Sequence, residues 1–293
     1  MDERTLLGQL LPLLHCGTDT VLGPGDDCAA VDTGSPELLL AAADHLIAGI
    51  HYLRDTTPPE LAGAKLFNRN ASDIAAMGGT PRWALLSLAA NGCGNEELLA
   101  FAKGAALAAE HCGATLIGGD VAALPTPGLS ASLTILGTVK KEEMICRKGA
   151  NDGDLLCVTG CIGNAFHSGH HLTFLPRLKE GRFLAEHHLA SAMMDISDGL
   201  LLDAARLAEM SCVQILLDPA KVPLRKDAVL PEALSDGEDY ELLFTVPPEK
   251  LAELAGKMDF TVIGEIRSGT PGVCDPGGNN LLTGKTGYEH GKY

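Results

Sequence analysis

Apolar and polar residues recur along this chain with two periods, and the switches between them mark its elements. A 3.6-residue period predicts a helix over 4–14 and another from Pro58-Pro59-Glu60 to Met77, closed by Gly78-Gly79. Two more run from Asn95, read as a cap, to about Cys112, and from Gly199 to Met210. Short apolar or alternating runs predict strands at 38–43, 83–89, 115–117, 129–139, 155–159, 213–217, 241–246 and 260–266. The first of these ends at Asp44 and the third runs into Gly118-Gly119-Asp120, so both read as strands with a carboxylate at the exit. Helical segments are expected over roughly 161–192, and Pro247-Pro248 opens one more. Strand–strand and strand–helix steps alternate irregularly, which predicts an α+β protein with mixed β-sheets and not a regular doubly wound sheet. A polar, glycine-containing stretch at 147–154 suggests two domains, 1–142 and 143–293.

Composition narrows the function. Hydrophobic residues make up 46% of 293, enough for two packed cores. The formal net charge of -16 gives no bulk attraction for nucleic acid or an anionic membrane, so neither is expected as a partner. An acidic chain that handles anions needs bound cations or local basic groups; a merely soluble acidic surface is the alternative. Nine cysteines without a C-x-x-C pair read as reduced thiols. The segment 1–16 reads as an amphipathic helix and not a signal peptide, and no apolar run is long enough to span a bilayer. A cytoplasmic protein is therefore expected.

Five segments place carboxylates at element ends or beside glycine: Asp26-Asp27, Asp44, Ser72-Asp73, Gly118-Gly119-Asp120, and Asp195-Ile196-Ser197-Asp198-Gly199. Hard divalent cations take such oxygen ligands, and Mg²⁺ commonly joins one or two carboxylates to substrate phosphates. Each segment alone is equally compatible with a helix cap or a turn. Asp73 differs, because it lies inside an apolar-periodic helix where an unpaired carboxylate is costly. Arg147 stands beside Gly149, where it reads either as a phosphate grip or as a surface charge. The stretch from Gly278 to Thr286 imitates a phosphate-binding loop but has five residues between its glycines and no room for the helix that must follow. His167, His170, His171, His187 and His188 lack a zinc frame and read as a solvated loop.

These segments, in this order and spacing, resemble the thiamine-monophosphate kinase family. The resemblance rests on 25–31, on Asp44 through Gly49-Ile50-His51-Tyr52, on 70–79, on Gly118-Gly119-Asp120, on Arg147-Lys148-Gly149-Ala150, on 194–200 and on Gly237-Glu238-Asp239-Tyr240-Glu241-Leu242. It implies aminoimidazole ribonucleotide synthetase-like N-terminal and C-terminal domains, a homodimer joined through the N-terminal domains, and transfer of the ATP γ-phosphoryl group to thiamine monophosphate. It further implies several Mg²⁺ ions on Asp26, Asp27, Asp44, Asp73, Asp120 and Asp198. ATP would meet Gly119, Asp120, Arg147 and Ser197; His51 would lie by the acceptor phosphate; Glu238, Asp239 and Tyr288 would face the thiamine end. No general base is implied. The chain departs from the family pattern at Ala42 and Ala43, where hydroxyl residues are usual, at Ala48, where Glu is usual, at Asp236-Gly237 and in a reduced aromatic segment at 287–291. Another ATP-dependent enzyme of the same superfamily, or a binding protein without turnover, remains compatible with the same residues.

Overall fold

The computed structural model describes residues 3–288, with side chains from residue 5. In chain order the elements are α1 (Glu3–Leu10), β1 (Thr20–Leu22), β2 (Ala29–Val31), β3 (Glu37–Ile47), α2 (Pro59–Ala76), β4 (Thr80–Asn91), α3 (Asn95–His111), β5 (Thr115–Ala123) and β6 (Gly128–Lys140). There follow β7 (Leu155–Thr159), α4 (His170–Thr173), α5 (Leu178–Glu186), β8 (Ala192–Asp195), α6 (Leu200–Ser211), β9 (Gln214–Leu217), α7 (Leu230–Ser235), β10 (Leu242–Val246), α8 (Leu251–Leu254), β11 (Phe260–Arg267) and β12 (Gly272–Cys274). Two six-stranded sheets result, ordered β1-β2-β3-β6-β4-β5 and β12-β9-β11-β7-β10-β8. Each is antiparallel except for one edge pair, β4 with β5 and β12 with β9. The mixed-sheet α+β class expected from the order of elements is therefore the one observed.

Several local expectations change. β3 does not stop at Asp44: it pairs with β6 from Glu37↔Lys140 to Ile47↔Ser130, and this ladder carries the strand past the carboxylate. Gly119 and Asp120 likewise lie inside β5, which follows β4 as far as Ala90↔Ala123. Asn95 is the first residue of α3, and the cap position belongs to Gly94. The span 161–192 is helical only in α4 and α5, because Gly160, Gly163, Asn164 and Gly169 adopt left-handed backbone angles that a helix cannot use. β1, β2, β8 and β12, three or four residues long, are strands that the sequence pattern does not announce.

Helix α2 holds the two halves together. Twelve of its eighteen residues are buried, so it is a central helix and not a surface one. Leu66, Phe67, Ala71 and Ile74 belong to the core over the first sheet, with Leu40, Leu133 and Ile135. Ala75 and Ala76 belong to a different core, with Leu184, Met193 and Phe244 of the second half. Close approach requires small residues there. A Cβ at Gly181 of α5 would stand 2.2 Å from the Ala75 carbonyl oxygen, a rigid backbone atom.

Gly181→Ala should therefore force α5 off α2 and destabilise the protein by about 1–3 kcal/mol. Gly8→Ala, in a helix with open space around it, should be neutral or slightly stabilising. Urea denaturation midpoints test this, and equal midpoints for both variants would refute the close-contact account.

Candidate active site

Five polar residues of α2 lie on one face. Lys65, Asn68, Arg69, Ser72 and Asp73 follow the i, i+3, i+4, i+7, i+8 spacing of a single stripe. Each reaches a partner outside the helix or joins a cluster. Asn68 donates to the Phe174 carbonyl at 2.9 Å. Arg69 binds Asp44 Oδ2 at 2.9 Å and the His45 carbonyl at 2.8 Å, which ties β3 to the helix. Ser72 Oγ donates to Asp195 Oδ2 at 2.6 Å.

Asp73 closes the stripe in a cluster. One carboxylate oxygen each from Asp27, Asp73 and Asp195 lies within 4.8 Å of the other two. Asp27 comes from the turn before β2, Asp73 from α2 and Asp195 from the end of β8, so three distant segments converge. Of the three acids, only Asp27 has a cation in contact among the described residues: Arg147 Nη2, at 2.6 Å. Burial, then the charges of Asp44, Asp195 and Asp27, push the Asp73 carboxyl well above its ordinary range. Burial and Asp27 push Asp195 the same way, against the stabilising Ser72 hydrogen bond. Three crowded carboxyls of this kind fit a hard divalent cation, which would supply the missing positive charge.

Neighbouring acids are individually engaged. Asp26 accepts the Arg147 backbone N–H, and burial followed by the Asp27 charge raises its carboxyl to about 6. Asp198 pairs with Arg206 at 2.6 Å. The backbone N–H groups of Ser197, Asp198 and Gly199 all donate to the buried Asp203 carboxylate, at 3.0 to 3.2 Å. Asp203 lies in the first turn of α6 and so fixes the loop that carries Ser197 and Asp198.

A cavity of about 590 Å³ opens beside the stripe. Its wall includes His51, Arg69, Ser197, Asp198, Glu238 and Tyr288, together with Phe166, His167 and Lys285. The Ile47 N–H donates to His51 Nδ1 at 2.9 Å, which leaves the ring proton on Nε2. Glu238 and Tyr240 sit in the left-handed backbone region, at φ 72° and 52°, a costly geometry for non-glycine residues. The segment 238–241 is pinned residue by residue. Glu238 pairs with Lys65, Asp239 with Arg225, and Glu241 with Arg177, each at 2.6 Å. Asp239 also accepts the Gly163 N–H, so its carboxylate shapes the loop from below and is buried.

The structure thus brings together Asp27 and Asp73, and separately His51, Ser197, Asp198, Glu238 and Tyr288 around the cavity. Arg147 contacts Asp27; Asp44 is held by Arg69. Gly119 and Asp120 are exposed on the edge strand β5. Asp195 was absent from the expected ligands, although it shares a motif with Asp198 and ends an apolar run. Lys65 was also missed; its place eight residues before Asp73 on one helix face was the available signal. The histidine segment is solvated only in part: His167, His187 and His188 are exposed, whereas His171 is buried, stacks on Phe166 at 4.3 Å and bonds Lys65 through Nδ1 at 2.8 Å. The stretch 278–286 forms bends and one isolated bridge, Cys274↔Asn280. Its Lys285 nonetheless reaches the cavity wall and pairs with Asp236 at 2.6 Å.

Comparison with known proteins places this geometry among relatives. Residues 25–139 match the model of the AIR synthase related protein N-terminal domain. The thiamine-monophosphate kinase of Escherichia coli O157:H7 is 33% identical, covering 93% of this chain and 92% of the relative. A solved structure of AaThiL complexed with AMPPCP and TMP superposes with a TM-score of 0.86 at 28% identity, covering 98% of this chain and 97% of that one. The thiamine monophosphate kinase of Aquifex aeolicus gives 0.79 at 28% identity over 95% and 97%.

Asp73 and Asp195 carry folded-state pKa values above those of an unfolded chain, so the folded form binds extra protons. Stability without metal should therefore fall as pH rises above the unfolded carboxyl range of about 4. Asp73→Asn removes one crowded charge and should raise the metal-free melting temperature at pH 8 by about 2–4 °C, the shift expected for about 1 kcal/mol. The gain should shrink towards pH 5. Calorimetry at both pH values checks this; a variant that melts lower than wild type at pH 8 would contradict the crowding account.

Proposed function

Because the chain belongs to the thiamine-monophosphate kinase family, we propose that it transfers the γ-phosphoryl group of ATP to the phosphate of thiamine monophosphate, giving thiamine diphosphate and ADP. The observation that carries this reading is the convergence of Asp27, Asp73 and Asp195, with Arg69, one turn before Asp73 on α2, and Asp198, three residues after Asp195, in the wall of a cavity large enough for a small organic phosphate. The three carboxylates would hold Mg²⁺, with Asp26, Asp44, Asp120 and Asp198 as further candidate ligands. Bound there, Mg²⁺ supplies charge neutralisation and alignment of the polyphosphate.

The chain's own residues do the rest. Gly119, Asp120, Arg147 and Ser197 meet ATP. His51 lies by the acceptor phosphate, its ring oriented by the Ile47 N–H on Nδ1. Glu238 and Tyr288 line the thiamine end. Asp239 serves that end indirectly, because its carboxylate is already bound to Arg225. No side chain needs to act as a general base: the acceptor is an ionised phosphate, so positioning and electrostatics suffice. We assign 1–142 to the metal and nucleotide domain and 143–293 to the domain that closes over it.

A homodimer completes the reading. Trp83, Leu85, Ile117 and Val121 on β4 and β5 are exposed apolar side chains at one edge of the first sheet. A partner covering that edge would also reach Gly119 and Asp120, which lie between Ile117 and Val121. No helix among the described residues is long and apolar enough to cross a membrane, in keeping with a cytoplasmic enzyme of cofactor biosynthesis.

ADP release from Mg-ATP, with thiamine monophosphate, thiamine and an aminoimidazole precursor offered separately, tests the activity. Release only with thiamine monophosphate is expected; release with another acceptor would keep the fold and replace the substrate. Asp73→Asn and Asp195→Asn should each lower turnover about tenfold or more while the protein stays folded. Wild-type turnover in either would remove the metal assignment. Sedimentation should give a dimer at micromolar concentration and a monomer for Val121→Glu; a monomeric wild type would count against the dimer.

A further inference from the structure

We propose that Lys65 is a positioning residue for the phosphoryl acceptor: a buried ammonium that holds Glu238 at the cavity wall and locks the two halves of the chain around it. The inference rests on the kinase reading above and extends it to a residue that touches neither metal nor nucleotide.

Lys65 is fully buried, which is unusual for a lysine and tolerable only when its charge is met. An ammonium has three N–H donors, and all three are used. They reach the His51 carbonyl at 2.6 Å, His171 Nδ1 at 2.8 Å and Glu238 Oε2 at 2.6 Å. His171 must offer a lone pair at Nδ1, so its ring is neutral; burial and then the nearby Lys65 charge hold its pKa down at about 4. Burial works against the Glu238 carboxylate, but Lys65 and Arg69 outweigh it and keep the group ionised.

The three partners come from different places. His51 follows β3 in the first half, His171 lies in α4, and Glu238 precedes β10. His51 and Glu238 both line the cavity. One ammonium therefore sets the spacing between the residue placed at the acceptor phosphate and the residue placed at the thiamine end. Glu238 also needs an external hold, because its backbone is in the left-handed region. The Tyr240 hydroxyl provides a second hold, donating to the same Oε2 at 3.1 Å. Both contacts use Oε2, so neither consumes Oε1. The acceptor carries a cationic thiazolium ring, and an ionised, immobilised carboxylate is the complementary group for it.

This arrangement makes specific kinetic demands. Losing Lys65 should free Glu238 and weaken acceptor binding, while the carboxylate cluster and ATP remain in place. We would measure kcat, both KM values and calorimetric thiamine monophosphate affinity for wild type, Lys65→Met, Glu238→Gln and the double variant. Each single change should raise the acceptor KM about tenfold or more, with a much smaller fall in kcat and an ATP KM close to wild type. The double variant should be no worse than the weaker single, because both changes break one interaction. It also removes both partners of the ion pair together, so it should fold even where Lys65→Met does not. An acceptor KM within threefold of wild type in Glu238→Gln or the double variant would overturn the proposal. So would an equal rise in the ATP KM, or penalties that multiply in the double. A wild type that neither binds nor phosphorylates thiamine monophosphate would sink the kinase reading and this inference together, whereas active wild type with unaltered variants sinks this inference alone.

Discussion

The structure depends on one constraint: a helix buried between two sheets carries a stripe of polar residues that must be satisfied. Lys65, Asn68, Arg69, Ser72 and Asp73 cannot be left without partners in that position, because an unmet buried polar group costs about 1–3 kcal/mol and a charge costs more. The apolar sides of α2 pack on the first sheet and on the core of the second half. The polar stripe then selects what may stand opposite it. Lys65 requires an acid, Ser72 an acceptor, Arg69 a carboxylate, and the second half supplies Glu238 and Asp195 at the required places. Docking of the halves and assembly of the site are thus the same event.

An acidic chain of net charge -16 also has to distribute its repulsion. Around the cavity it does so pairwise: Asp44 with Arg69, Asp198 with Arg206, Glu238 with Lys65, Asp239 with Arg225 and Glu241 with Arg177. Asp73, half-buried, and Asp195, buried, are the exceptions, with Asp27 nearby. Local stability is forgone at this crowded cluster, a common feature of functional sites. Arg147 on Asp27 is the partial compensation in this arrangement.

Much of this was legible before any coordinates. Long elements with a clear period, such as α2, α3 and β6, fell within a few residues of expectation. Asp73 stood out because an unpaired carboxylate inside an apolar helix is costly, whereas Asp26 and Asp27 beside Gly25 read equally as a turn until taken together with the other acidic segments. Asp195 was passed over in favour of Asp198, since both share one motif and nothing local says which points inward. The histidines at 167–171 looked solvated because glycine and polar neighbours mimic a loop; only Lys65, distant in sequence, gives His171 a reason to be buried. Asp239 looked equivalent to Glu238, yet the left-handed turn at Glu238 sends the two carboxylates to different partners.

By itself, then, the amino-acid order determined the class of fold, the long elements and the acidic segments, because period, turn chemistry and residue type act over a few residues. Tertiary structure alone decided which acids meet, which are neutralised and which stay crowded. Those outcomes turn on distances of a few ångströms between residues separated by as many as 173 positions along the chain, such as Lys65 and Glu238. Electrostatic energy at that range depends on burial and on the partner in contact, and neither is written in any local stretch of sequence.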